Sequence, residues 1–77
     1  MSIGQNIRRI RKLRDLTQAH VGEKVGVVQG TISKWEHNAT CPTGAELIAL
    51  AATLSCSVED LMRTRGPDGS ITLVLQG

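Results

Sequence analysis

Residues 17–38, TQAHVGEKVGVVQGTISKWEHN, constrain the chain more than any other stretch. Apolar or small residues Val21, Gly22, Val25, Val27, Ile32 and Trp35 recur at intervals of one to five. That is the inner face of two short helices broken at Gly26. Thr17 suits the N-cap of the first of these, since its hydroxyl accepts from a first-turn N–H. Gly26 suits the left-handed residue that closes it. Gly22 costs about 0.5–1 kcal/mol relative to Ala in mid-helix, which points to a close backbone crossing there. Between Val28 and His37 the outward positions are Gln29, Gly30, Ser33, Lys34 and His37. A packed inner face beneath amides, a hydroxyl and a cation is what reading a major groove needs.

Charge follows the same division. The 77 residues carry a formal +2, with seven Lys/Arg against three Asp/Glu in residues 1–38 (+4) and two against four in residues 39–77 (−2). The basic half therefore contains the helix pair and favours a polyanionic partner. A chain of this length forms one domain with a small core, and with Trp35 as its single aromatic that core is aliphatic. No apolar run reaches the roughly 20 residues of a membrane span. There is no signal peptide, so Cys41 and Cys56 are expected as reduced thiols of a cytoplasmic protein, Cys56 inside the core. His20, His37, Cys41 and Cys56 lack zinc-ligand spacing, so no metal is expected. No cofactor or small-molecule ligand is expected either. Without a Ser/His/Asp or Cys/His arrangement or a glycine-rich phosphate loop, the chain reads as a non-enzyme.

Gln18, Gly22, Gly26, Val27 and the run Thr31-Ile32-Ser33-Lys34-Trp35-Glu36 resemble the helix-turn-helix of the phage repressor, Cro and XRE-type regulators. Downstream, Pro42, Leu47, Leu50, Ala51, Leu54 and Leu61 fit as well, so the resemblance covers about residues 3–62. It implies an all-α, five-helix DNA-binding domain over 1–62 whose third helix enters the major groove. Gln18 then stands where the family contacts a phosphate or the recognition-helix glutamine. Arg11 stands where the family pairs an arginine with the glutamate closing that helix, here Glu36.

The remaining elements follow in order. Residues 3–14 form a first helix marked by Ile3, Ile7, Ile10 and Leu13 or Arg14, with Arg8, Arg9, Arg11 and Lys12 crowding the remainder. Those cations are either a solvated face or neighbours of a phosphate backbone. Asp15 occupies a linker position where the family often has glycine, so a left-handed backbone is possible there. Val28 replaces the usual capping side chain, a loss of about 1 kcal/mol, and its methyls could meet a thymine methyl instead. Gly30 presents no side chain, so base contacts are expected from Gln29, Thr31, Ser33 and Lys34. Backbone contacts are expected from Gln18, Val28, Asn38, Thr40 and Arg11. Trp35 reads as core. Asn38 suits a left-handed position after the third helix. Thr43/Glu46 and Ser57/Asp60 have capping-box spacing for a fourth and a fifth helix.

From Arg63 the character changes. Gly66-Pro67-Asp68-Gly69 signals a turn, and residues 70–76 form an uncharged β-branched run. Within residues 63–77 a strand is expected without a partner in its own chain, pairing across a homodimer through Ile71, Leu73 and Leu75. The reading is a sequence-specific regulator that binds double-stranded DNA at a palindromic operator, a Cro-like repressor with no room for a ligand-binding domain. A restriction-modification controller or antitoxin-type autoregulator fits the same residues. A protein-interaction module of the same fold, as in some coactivators, is the alternative.

Overall fold

Among the described residues, four of the five helices begin on a side-chain oxygen that accepts from the first turn. The computed structural model describes the backbone of residues 2–65 and 71–73, and side chains as far as Arg63. Helix α1 (Ile3–Leu13) starts at Ser2, whose hydroxyl accepts from the Gln5 amide while the Gln5 side chain accepts from the Ser2 amide. This reciprocal box satisfies two N–H groups that a helix start leaves unpaired. Thr17 caps α2 (Gln18–Val25) through the His20 amide. Thr43 with Glu46, and Ser57 with Asp60, form the expected boxes at α4 (Gly44–Leu54) and α5 (Val58–Met62). Helix α3 (Gln29–Glu36) is the exception, for Val28 makes no side-chain cap.

The junctions use left-handed backbone. Gly26 has φ 91°, and Asp15, Asn38 and Ser55 have φ 57°, 59° and 55°. Aspartate and asparagine tolerate that region better than most residues, because their short polar side chains bond locally.

All the helices contribute to one core. Ile3, Ile7 and Ile10 come from α1, Val21 from α2, Ile32 and Trp35 from α3, Leu47, Leu50, Ala51 and Leu54 from α4, and Leu61 from α5. Leu13 does not join them. It is 66% exposed, and α1 ends there. Arg14, the other candidate for that repeat, reaches the end of α4 instead, donating from Nε to the Leu54 carbonyl at 2.8 Å and from Nη2 to Ser55 at 3.1 Å. A cation on the orphan carbonyls of a helix C-terminus is favoured by both hydrogen bonding and the helix dipole. Cys56 is half-buried at the edge of the core rather than inside it, and it forms no disulfide with the exposed Cys41.

Two glycines mark close approaches. A Cβ on Gly22 would stand 2.7 Å from the Val27 carbonyl, so what presses on α2 is the α2–α3 turn, not the crossing helix backbone expected. The helix-to-helix approach lies at Gly4, where a Cβ would collide with the Trp35 carbonyl and lie 2.8 Å from that of Glu36. Asn6, buried in α1, donates from Nδ2 to the carbonyls of Leu61 at 2.8 Å and Arg63 at 2.6 Å. It thereby satisfies the end of α5 from within the core.

Beyond α5 the backbone of Arg63–Arg65 forms strand β1, paired antiparallel with β2 (Ile71–Leu73) in the register Arg63 with Leu73 and Arg65 with Ile71. The expectation of a strand without a neighbour in its own chain is corrected. A three-residue Arg-Thr-Arg segment has no hydrophobic alternation by which to recognise it as a strand. Leu75 and the side chains of Ile71 and Leu73 lie outside the described residues.

Candidate nucleic-acid interface

The α2–α3 junction is tied by two amides on one carbonyl. Gly26 and Val27 both donate to Gly22 O, at 2.8 and 2.9 Å. Val27 tucks against the core while Val28, the next residue, is 72% exposed. Ile32, Trp35 and Glu36 are the buried side of α3. Gln29, Gly30, Lys34 and His37 are exposed, and Thr31 and Ser33 are half-buried along the margins. The outward face is therefore as expected except at Ser33, which lies partly under cover. His37 bonds through Nδ1 to the Ser33 carbonyl at 2.8 Å, closing the helix.

One hydrogen-bonded chain fixes that face from beneath. Arg11 donates from Nε to Glu36 Oε2 at 2.6 Å and from Nη2 to Oε1 at 3.1 Å, the bidentate fork expected of this pair. Its Nη1 donates to the Leu16 carbonyl at 2.8 Å. Glu36 Oε1 also accepts from Gln18 Nε2 at 3.1 Å. With its amide nitrogen so committed, Gln18 turns Oε1 toward Gln29, whose Nε2 lies 3.5 Å away at the long limit of a hydrogen bond. Gln29 retains a second N–H and its own Oε1. A donor and an acceptor side by side match the N7 and N6 positions of adenine in the major groove.

Other expected residues fall around this centre. Asn38 is engaged with α1, its Oδ1 accepting from the Gly4 amide at 3.2 Å and its Nδ2 donating to Ser2 Oγ at 2.9 Å. That role escaped the sequence reading, although Ser2-x-x-Gln5 has the spacing that could have located the first cap. Thr40 is exposed in the loop before α4. Lys34, Arg8, Arg9 and Lys12 are exposed and form no ion pair among the described residues. Among the described residues no group of three or more His, Cys, Asp or Glu is placed to hold a metal ion, and no helix is long and apolar enough to cross a membrane.

Five helices with a glycine-turned α2–α3 pair and a polar outer face on α3 define a helix-turn-helix domain. Residues 7–61 match the helix-turn-helix family model, and the chain belongs to that family, in its phage-repressor and XRE-type branch. It is 41% identical over 61 residues to Repressor protein C2 of Salmonella phage P22, an alignment covering 79% of this chain and 28% of that protein. It is 35% identical over 57 residues to the HTH-type transcriptional regulator DicA of Escherichia coli (strain K12), covering 74% and 42%. The chain thus spans well under half the length of these two relatives. A crystal structure of the P22 c2 repressor in complex with a synthetic operator superposes with a TM-score of 0.76 at 41% identity, over 79% of this chain and 92% of that one. The N-terminal DNA binding domain of SinR from Bacillus subtilis gives 0.75 at 31% identity, over 82% and 93%.

Proposed function

We infer that this chain is a sequence-specific regulator of transcription, a small Cro-like repressor that binds double-stranded DNA as a homodimer. The observation that carries the reading is the Arg11–Glu36–Gln18 network, which reaches from the buried side of α3 to the exposed Gln29 amide on its outer face. An outer face with no ligand to meet gains little from such an arrangement; one that reads base edges uses it. Relatives solved or named as operator-bound repressor and DNA-binding domain support the same assignment.

In this reading α3 lies in the major groove, with Gln29, Thr31, Ser33 and Lys34 facing base edges. Gln18, Asn38 and Thr40 lie along the phosphates with Val28 at the helix head. Arg11 has all three nitrogens committed within the protein, so it acts by setting Glu36 and Gln18 rather than by meeting a phosphate itself. The homodimer forms through the C-terminal segment that includes Ile71, Leu73 and Leu75, using the edge of β2 that β1 leaves open. A two-fold axis there sets two α3 helices about 34 Å apart and so requires a palindromic site.

Selection from randomised duplexes, followed by fluorescence anisotropy on the recovered site across a salt series, tests the reading. The expected result is a palindrome bound with an affinity that falls steeply with salt. Binding that is weak and indifferent to salt would favour the protein-interaction alternative. Deleting residues 70–77 is expected to yield a monomer by sedimentation, and a persistent dimer would remove the C-terminal interface.

A further inference from the structure

Residues 2–6 grip the chain at two places that are far apart in sequence. On one side lies the end of α3. The Gly4 amide donates to Asn38 Oδ1 at 3.2 Å, and Asn38 Nδ2 donates to Ser2 Oγ at 2.9 Å. A Cβ on Gly4 would collide with the Trp35 carbonyl, so no side chain separates α1 from α3 there. On the other side lies the end of α5. Asn6 is 1% exposed, and its Nδ2 donates twice, to Leu61 O at 2.8 Å and to Arg63 O at 2.6 Å. Leu61 is still helical, whereas Arg63 is extended, with φ −72° and ψ 140°. One amide therefore spans the step at which the chain stops being a helix and becomes β1.

Closing a helix is only part of what this grip does. Arg63 is the first residue of β1 and stands opposite Leu73 of β2. Fixing its carbonyl fixes the direction in which the strand pair leaves the helical body. The five residues of α5 supply little rigidity of their own, because so short a helix holds its shape through packing. Helix α1 meanwhile packs against α3, α5 and β1 together. We propose that Asn6 is a positioning residue that sets the angle between the β1–β2 pair and α3, and through it the spacing of half-sites that the dimer accepts. The proposal rests on the homodimer reading above and deepens it. Sequence within a half-site is read by α3, while spacing between half-sites depends on how stiffly the C-terminal strands are joined to α3. A base pair added between half-sites turns one of them by about 34° and moves it by about 3.4 Å, so a rigid joint discriminates and a loose one does not.

The test uses the full chain and the duplex recovered by selection, with its half-sites kept at the selected spacing or moved by one base pair. Wild-type protein is expected to lose about tenfold in affinity when the spacing changes, and Asn6→Ala, which removes both bonds, no more than about threefold. A single mismatch inside a half-site should cost the two proteins the same, because the reading face of α3 is untouched. Each penalty is a ratio measured on one protein, so a smaller folded fraction cancels and destabilisation alone moves neither. Asn6→Ser, which keeps a short donor in a smaller gap, is expected to show an intermediate spacing penalty and carries the same comparison if the alanine variant does not fold. The proposal is overturned if the folded variants keep the wild-type spacing penalty, or if the mismatch penalty falls along with it. Deleting residues 70–77 separates this from failure of the homodimer reading. The truncated chain is expected to lose the spacing penalty altogether. If it retains the penalty, the C-terminal interface is wrong and the proposal goes with it; if it loses the penalty while Asn6→Ala does not, only the role of Asn6 is refuted.

Discussion

Arg11 and Glu36 lie on different helices and meet as a fork, with two nitrogens on two oxygens and both side chains almost withdrawn from water, at 11% and 1% exposure. Their mutual attraction is largely offset by desolvation, so the pair's worth lies in geometry. Removing one partner strands the other. Arg11→Ala and Glu36→Ala are each expected to destabilise by about 3 kcal/mol, and the double variant by clearly less than the sum. Urea unfolding of the four proteins measures the coupling, and strict additivity would show that the fork does no work in solution.

Gly4 and Gly30 make opposite predictions for the same substitution. Gly4→Ala places a methyl against the Trp35 and Glu36 carbonyls, which belong to a helix and yield little, so a loss of about 1–3 kcal/mol is expected. Gly30→Ala meets nothing and removes glycine's backbone freedom from a helix, so a gain of about 0.5–1 kcal/mol is expected. Thermal melts of the two variants decide this, and a shift of the same sign in both would contradict it.

What was legible in the sequence was local. Caps such as Thr43 with Glu46 act within one turn, and the left-handed positions at Gly26 and Asn38 need only a residue type and a helix end. The α2–α3 pair was legible because its packing and its turn lie within twenty-two residues. What escaped depends on partners far along the chain. Arg14 stood as one of two candidates for the inward repeat of α1 until α4 ended beside it, and Asn6 gave no signal of its own until the α5 carbonyls needed a donor. Gly4 carries no pattern at all, for its role is set by the place where α3 happens to stop. β1 escaped for the opposite reason, being too short and too polar to signal a strand.

Asp60 gives a dependence on pH. The Ser57 backbone N–H and then the Ser57 hydroxyl hold its carboxyl below the usual 3.8, helped by Arg63 and Arg9. A carboxylate lowered on folding adds stability above its ordinary value and loses it as pH falls through the folded value. Asp60→Asn, which keeps the shape and drops the charge, should therefore melt below wild type near neutral pH. The difference should close below about pH 4. A gap that stays constant into acid would assign the effect to shape and not to charge.

Gln29 and Lys34 share one face of α3 but differ in how they are held, and that difference should appear in binding. Gln29 lies 3.5 Å from Gln18 and keeps a donor and an acceptor for a base edge, and Gln29→Ala is expected to cost about 1–3 kcal/mol at one base pair. Changing that base pair should then matter to wild type and not to the variant. Gln18→Ala should produce a weaker form of the same relaxation, because Gln29 would keep its reach and lose its neighbour. Lys34 is exposed and forms no ion pair among the described residues, so none of them fixes its ammonium by charge. If it donates to guanine, Lys34→Ala relaxes preference at a neighbouring pair. If it meets a phosphate, affinity falls alike for all sequences and the salt slope shrinks by about one. Affinity on the selected site across salt, for the three variants and wild type, separates these outcomes. Unchanged binding by both Gln29→Ala and Lys34→Ala would remove α3 as the reading helix.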